Sequence, residues 1–198
     1  MRTVAVQQML KRVEMNESGT LCREHLFSML SHLNERIGEL ESWLKPKAAA
    51  NDVQLLMTQR GVGYLSGLTF IHSVGDITRF RNGPRSVTKF AGYDSIEKSS
   101  ADKKRFGRIS KTGPSLLRFQ LGQAAQNAIR LGDPNLKAFY RRLLKKKPRG
   151  VAKTATARRL SVKLSIMLRD NITAEEFDLR GRTVGNARQV RRPEMTAL

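Results

Sequence analysis

Ser99 and Ser100 stand just ahead of a run of cations, Lys103, Lys104, Arg105, Arg108 and Lys111. A serine hydroxyl attacking a phosphodiester needs cations placed to stabilise the charge that develops on the phosphorus oxygens. The juxtaposition admits phosphoryl-transfer chemistry, with Ser100 or its neighbour Ser99 as the attacking group. A plainer reading stays open beside it, since serines in polar loops are commonly solvent-exposed turn residues. A second cluster, Lys145, Lys146, Lys147 and Arg149, has no adjacent hydroxyl and suits clamping of phosphates elsewhere. Other chemistries are thinly provided for. His25, His32 and His72 have no cysteine or carboxylate at a known metal-ligand spacing, so no metal site is expected in this chain. Cys22 is the single cysteine, which excludes an intramolecular disulfide framework, and no Gly-x-x-x-x-Gly-Lys-Ser/Thr loop points to nucleotide hydrolysis.

These cations belong to a larger imbalance. Residues 77–169 hold 24 Lys and Arg against four acids, an excess equal to the chain's whole net charge of +20. Outside that segment bases and acids cancel. A block so unbalanced repels itself unless it faces a polyanion, and the common polyanion of this density is a phosphodiester backbone. DNA is the expected partner. A lipid surface would call for one amphipathic basic helix rather than charge spread over several elements. No stretch approaches the roughly 18 apolar residues of a membrane span, and the N-terminus lacks a signal-peptide core, so no membrane association is expected. With one cysteine the chain suits a reducing compartment, and a cytoplasmic location is expected.

The elements that must position these residues read as helices. Leu26, Leu30, Leu33, Ile37, Leu40 and Leu44 step at heptad spacing, giving a long helix that pairs either with a second copy of the chain or within a local bundle. Upstream, residues 1–15 read as a helix cut short at Asn16-Glu17-Ser18-Gly19. Pro46 ends the heptad helix, so residues 1–48 form a helical arm. From residue 53 to 75 the pattern is helix, Gly61-Val62-Gly63, helix, which fits a helix-hairpin-helix: glycines permit a tight turn and the second helix aims unpaired N–H groups at a phosphate. A glycine-rich turn with no such role is the alternative. Residues 79–85 read as a loop and Val87 to Gly92 as a short helix. The polar, basic stretch 93–113 has little helical periodicity and reads as a functional loop. Pro114 suits the start of a helix with a buried stripe of Leu117, Leu121, Ala124 and Ala128. Asp133-Pro134 caps and starts the next, which carries Leu136, Phe139 and Leu143. Residues 145–150 read as a loop before a last long helix, from Val151 to about Arg169, whose small residues fit it for the centre of the domain. Residues 173–198 read as a disordered tail, although Thr173 and Glu176 match a capping box. The expected fold is mostly α: a long coiled-coil-type helix, then a compact basic helical domain over residues 49–172.

Four ordered motifs carry a family resemblance: Leu55 through Gly63, Gly75-Asp76-Ile77-Thr78-Arg79-Phe80-Arg81, Phe90-Ala91-Gly92, and Gly107-Arg108-Ile109-Ser110-Lys111-Thr112-Gly113. Over about residues 26–169 the chain resembles the C-terminal domain of the IS-one-ten-type insertion-sequence transposases, relatives of the Piv DNA invertases that include bridge-RNA-guided recombinases. The resemblance implies a DNA recombinase domain whose serine, falling here at Ser100, links covalently to DNA. It implies that the heptad helix is a coiled-coil dimerisation arm, making the chain a homo-oligomer, and that a guide RNA is a further partner. It also implies a RuvC-like N-terminal domain holding four acidic metal ligands. Three departures stand out: Ala101 replaces the usual glycine after the serine, and Arg60 and Tyr64 depart from the usual hairpin residues. About 25 residues precede the heptad helix, and Glu14, Glu17 and Glu24 do not make the acidic set. The expectation is therefore a chain that binds nucleic acid but does not recombine it alone, with no cofactor of its own and Mg²⁺ required only with a RuvC-like partner domain. The rival reading is a non-enzymatic helix-hairpin-helix nucleic-acid-binding protein.

Overall fold

Asn16 opens the longest helix of the chain by capping it. Its side-chain oxygen accepts from the Gly19 N–H at 2.8 Å, satisfying a donor that a helix start leaves unpaired. What reads as an interruption is thus the boundary between α1 (Arg2–Lys11) and α2 (Glu17–Leu44). The structure, a computed structural model, describes residues 2–80, 83–100 and 103–181. Helices dominate, and the chain divides into two units, Met1–Pro46 and Lys47–Leu198.

In the first unit, Arg23 closes the C-terminal end of α1. Its Nη1 donates to the carbonyls of Leu10 (3.1 Å) and Val13 (2.6 Å). Of the heptad positions, Leu26, Leu33, Ile37 and Leu40 are 53% to 62% exposed, and α2 buries no residue at all.

The second unit is built around α8 (Arg149–Asp170), which packs against α3 (Asn51–Met57), α5 (Pro84–Phe90), α6 (Ser115–Arg130), α7 (Pro134–Leu144) and the 3-10 turn Ile77–Arg79. Small side chains let these neighbours come close: Ala152, Thr156, Ala157, Ser161 and Ser165 are all buried. Buried hydroxyls would be costly if unpaired, but Thr156 Oγ1 donates to the Ala152 carbonyl at 2.8 Å and Ser165 Oγ to that of Ser161 at 2.6 Å. The expected stripe of α6 is buried in full, and Asp133 caps α7 by accepting from the Leu136 N–H at 2.7 Å. Asp133 also takes a hydrogen bond from Gln59 Nε2 at 2.8 Å, which ties the end of α3 to the start of α7. α4 (Tyr64–Val74) follows the glycine turn, and its Phe70 and Val74 complete the core with Leu56, Leu117 and Leu160. No helix of the described residues is long and apolar enough to cross a membrane.

Four boundaries differ from the sequence reading. Most importantly, the basic stretch after Tyr93 is an antiparallel hairpin, β1 (Ser95–Ser100) paired with β2 (Lys103–Ile109). Its sequence lacks an apolar-polar alternation, so the period-two signal that marks strands is missing. The loop after α7 is shorter than residues 145–150: Pro148 is the N-cap of α8, which begins at Arg149. The loop 79–85 is likewise reduced, since Arg79 closes the 3-10 turn and Pro84 starts α5. Finally, the tail expected from residue 173 begins with a further helix, α9, over residues 174–181. The capping box starts it, with the Thr173 N–H donating to Glu176 Oε2 at 2.7 Å, and the Ala174 N–H donates to Thr58 Oγ1 at 3.0 Å. Residues 182–198 lie outside the described part.

Candidate nucleic-acid interface

The hairpin is fixed at its base by groups the sequence did not advertise. Gly92 and Gly113 flank it, and a Cβ on Gly113 would fall 1.7 Å from the Phe90 carbonyl oxygen, so the two chain segments run in contact there. Gly92 has φ +72°, in the left-handed region that glycine alone adopts freely. Arg118 of α6 holds both sides: its Nη1 donates to the carbonyls of Ala91 (3.1 Å) and Gly113 (2.8 Å). Tyr93 donates its hydroxyl to the Arg118 carbonyl at 2.9 Å, and burial pushes its pKa up to about 12, so it is a structural donor and not a nucleophile at neutral pH. Ser110 donates to Asp94 across the base. Beside it, the Arg79 guanidinium lies 4.7 Å from the Phe80 ring centroid and 5.0 Å from that of Phe90, which fastens the 3-10 turn to α5.

From that base the ladder carries the candidate nucleophiles outward. Ser100 pairs with Lys103, Ser99 with Lys104, Lys98 with Arg105 and Glu97 with Phe106. Opposed residues of an antiparallel pair share a face, and the faces alternate with period two. Ser100 therefore has register positions Lys103, Lys98 and Arg105 on its face, whereas Ser99 has Lys104, Glu97 and Phe106. The pairing separates two serines that the sequence left together. The side chains of residues 97–106 lie outside the described part of the structure.

At the other end of the ladder, Arg108 and Lys111 line a cleft of about 390 Å³ whose opposite wall is the start of α8, including Thr154 and Arg158. One end of each basic cluster thus meets the start of α8, Arg108 and Lys111 across the cleft and Arg149 on the helix itself. Lys145 is the C-cap of α7, Lys146 and Lys147 follow in the exposed turn, and Arg149 is the first residue of α8. Arg149 and Lys153 line a second hollow of about 390 Å³ together with Tyr140. Arg158 escaped the sequence reading because α8 read as a packing helix. The signal was present, since Val151, Thr154, Ala155 and Arg158 recur at helical spacing on one face.

The two glycines of the 61–63 turn part company. Gly61, at φ +90°, lies against α6: a Cβ there would meet the Ala128 nitrogen at 2.3 Å and the Ala124 carbonyl oxygen at 2.6 Å. Its close backbone approach is to the protein itself. Gly63, the N-cap of α4, has nothing within 4 Å of a Cβ position and stays open.

Several acids of this unit are engaged elsewhere. Asp133 caps α7, Asp76 caps the 3-10 turn, Asp170 pairs with Arg169 and Arg180, and Asp178 pairs with Lys163. Among the described residues no three His, Cys, Asp or Glu side chains are grouped closely enough to hold a metal ion.

Comparison with known proteins gives a consistent picture. Residues 53–141 match the model of the Transposase IS116/IS110/IS902 family. The transposase for insertion sequence element IS1111A of Coxiella burnetii is 38% identical over 106 residues, covering 53% of this chain and 29% of that protein. The probable family 20 transposase of Pseudomonas aeruginosa is 30% identical over 143 residues, covering 70% of this chain and 42% of that protein. The chain spans less than half the length of either.

Proposed function

We propose that this chain, whose residues 53–141 match the model of the Transposase IS116/IS110/IS902 family, is the DNA-holding C-terminal part of a transposase, acting in transposition through Ser100. The observation that carries the reading is the ladder register. Ser100 stands directly opposite Lys103, with Lys98 and Arg105 two positions along the same face. Such cations would stabilise charge on the phosphorus oxygens as the serine oxygen attacks and the bond to the leaving deoxyribose oxygen breaks. A hairpin seated on Arg118, Gly92 and Gly113 gives that reaction a firm base. Within the helix-hairpin-helix reading of residues 53–75, the open end at Gly63 is the part free to approach a phosphate, because Gly61 is spent on α6.

Among the described residues no three His, Cys, Asp or Glu side chains are grouped to hold a Mg²⁺ ion, and no step is routed through a metal here. Mg²⁺ belongs with a RuvC-like partner domain, and the activity of the assembled transposase, with or without a guide RNA, is a property of that larger protein. Dimerisation through residues 26–44 is supported by the exposure of Leu26, Leu33, Ile37 and Leu40.

The test mixes the purified chain with a separately expressed RuvC-like domain, Mg²⁺ and DNA bearing element ends. A protease-sensitive covalent protein–DNA adduct is expected, lost in Ser100→Ala and kept in Ser99→Ala. An adduct that survives Ser100→Ala would refute the assignment. The chain alone should bind DNA without recombining it.

A further inference from the structure

The cleft between the hairpin base and α8 has no role in the structure of the unit. Arg108 and Lys111 reach it from the hairpin side and Arg158 from α8, and no carboxylate lines it. Among the described residues none of these three side chains has a hydrogen-bond or ion-pair partner, in contrast to Lys163, held by Asp178 at 2.9 Å, and Arg118, held by two carbonyls. Arg108, Lys111 and Arg158 are all exposed, and together they give the hollow a positive field beside the apolar walls of Ile109, Val151 and Ala155. An anion seated there would meet three cationic donors at once.

We propose that this cleft seats one phosphodiester of a DNA strand, gripped by Arg108, Lys111 and Arg158. The proposal rests on the DNA-binding reading above and adds to it a defined anchor. Guanidinium forks suit phosphate oxygens, and the apolar walls suit the C–H surface of a deoxyribose. The strand register also sets a distance. Ser95 lies on the cleft and Ser100 five residues along β1, roughly 16 Å away at about 3.3 Å per residue. Along one strand of duplex DNA that separation spans several phosphates. The seated phosphate is therefore not the one that reacts; it fixes the DNA's register relative to Ser100.

The experiment measures binding of a fluorescein-labelled 30-base-pair DNA duplex, and of single-stranded DNA and RNA of the same sequence, by the full chain over a salt series. Arg158→Gln and Arg108→Gln are each expected to weaken DNA binding about tenfold, as loss of a charge-assisted contact does, and to lower the salt slope by about one. Arg130→Gln, an equal charge change at an exposed site outside the cleft, should stay within about twofold of wild type. Unchanged melting temperatures in all three variants exclude unfolding as the cause. Steep wild-type binding with both cleft variants matching Arg130→Gln overturns the cleft and leaves the DNA reading intact. Wild-type binding that ignores salt overturns the DNA reading itself. A larger loss on RNA than on DNA would make the occupant an RNA and refute the proposal as stated.

Discussion

α2 and α8 are both long, 28 and 22 residues, and both carry leucines at helical spacing, yet α2 buries none of its residues while nine residues of α8 are buried. The difference lies in what surrounds the leucines. On α2 they form a narrow heptad stripe flanked by Glu35, Arg36, Glu39 and Glu41, of a width that one further helix would cover. On α8 alanine, serine and threonine stand beside the leucines, so several helices of the same unit approach at once and cover more than one face. Regular leucine spacing announces that a partner is needed. The residues between the leucines say whether the partners are many and close or single.

The largest expected effect tests that contrast directly. Leu160→Asp places an unpaired charge at a site with 0% exposure, which costs about as much as the whole 5–15 kcal/mol of a domain, so the basic unit should lose its cooperative thermal transition by circular dichroism. The double substitution Leu33→Asp with Leu40→Asp should leave that transition in place and abolish self-association in sedimentation velocity. If the double variant instead removes the transition of the basic unit, the two helices do not differ as described.

A smaller contrast divides the glycine turn. Gly61→Ala must relieve a 2.3 Å contact with the α6 backbone at φ +90°, at a cost of about 2–4 kcal/mol. Gly63→Ala meets nothing and should cost less than about 1 kcal/mol, through the N-cap preference alone. Urea denaturation midpoints that coincide for the two variants would contradict the packing role of Gly61.

The smallest effect concerns α9. Hydrogen bonds from the Thr173 N–H and hydroxyl hold the Glu176 carboxyl below its usual pKa of 4.5. A depressed folded-state pKa contributes stability that is present above 4.5 and is lost as pH falls through the folded value. Protection of the amides in residues 174–181, measured against their intrinsic exchange rates, should therefore fall below about pH 4.5, and Glu176→Gln should flatten that dependence. An unchanged pH profile in the variant would place the acid sensitivity elsewhere.

Much of the helical frame was legible because its signals are local. Asp133-Pro134, the stripe from Leu117 to Ala128, the capping box at Thr173 and the α4 start after Gly63 each depend on residues within a turn or two of one another. The hairpin was not legible. Its strands carry no apolar-polar alternation, so charge concealed a regular ladder, and the serine choice depends on a cross-strand register that no single strand encodes. Arg118 and Arg158 were passed over for a related reason. Each lies within a helix that reads as packing, and its role follows from a neighbour distant in sequence: Ala91 for Arg118, and Arg108 on the far side of a cleft for Arg158.

The sequence by itself determined the charge block, most of the helices and their caps, and the heptad stripe of α2, because net charge, periodicity and capping are properties of short segments. Only the tertiary structure decided that Gly61 packs on α6, that Ser100 rather than Ser99 lies opposite Lys103, and that Arg108, Lys111 and Arg158 share one cleft. Those facts arise where segments far apart in the chain meet, and such meetings are fixed by packing around α8 and by strand pairing, which local propensity does not specify.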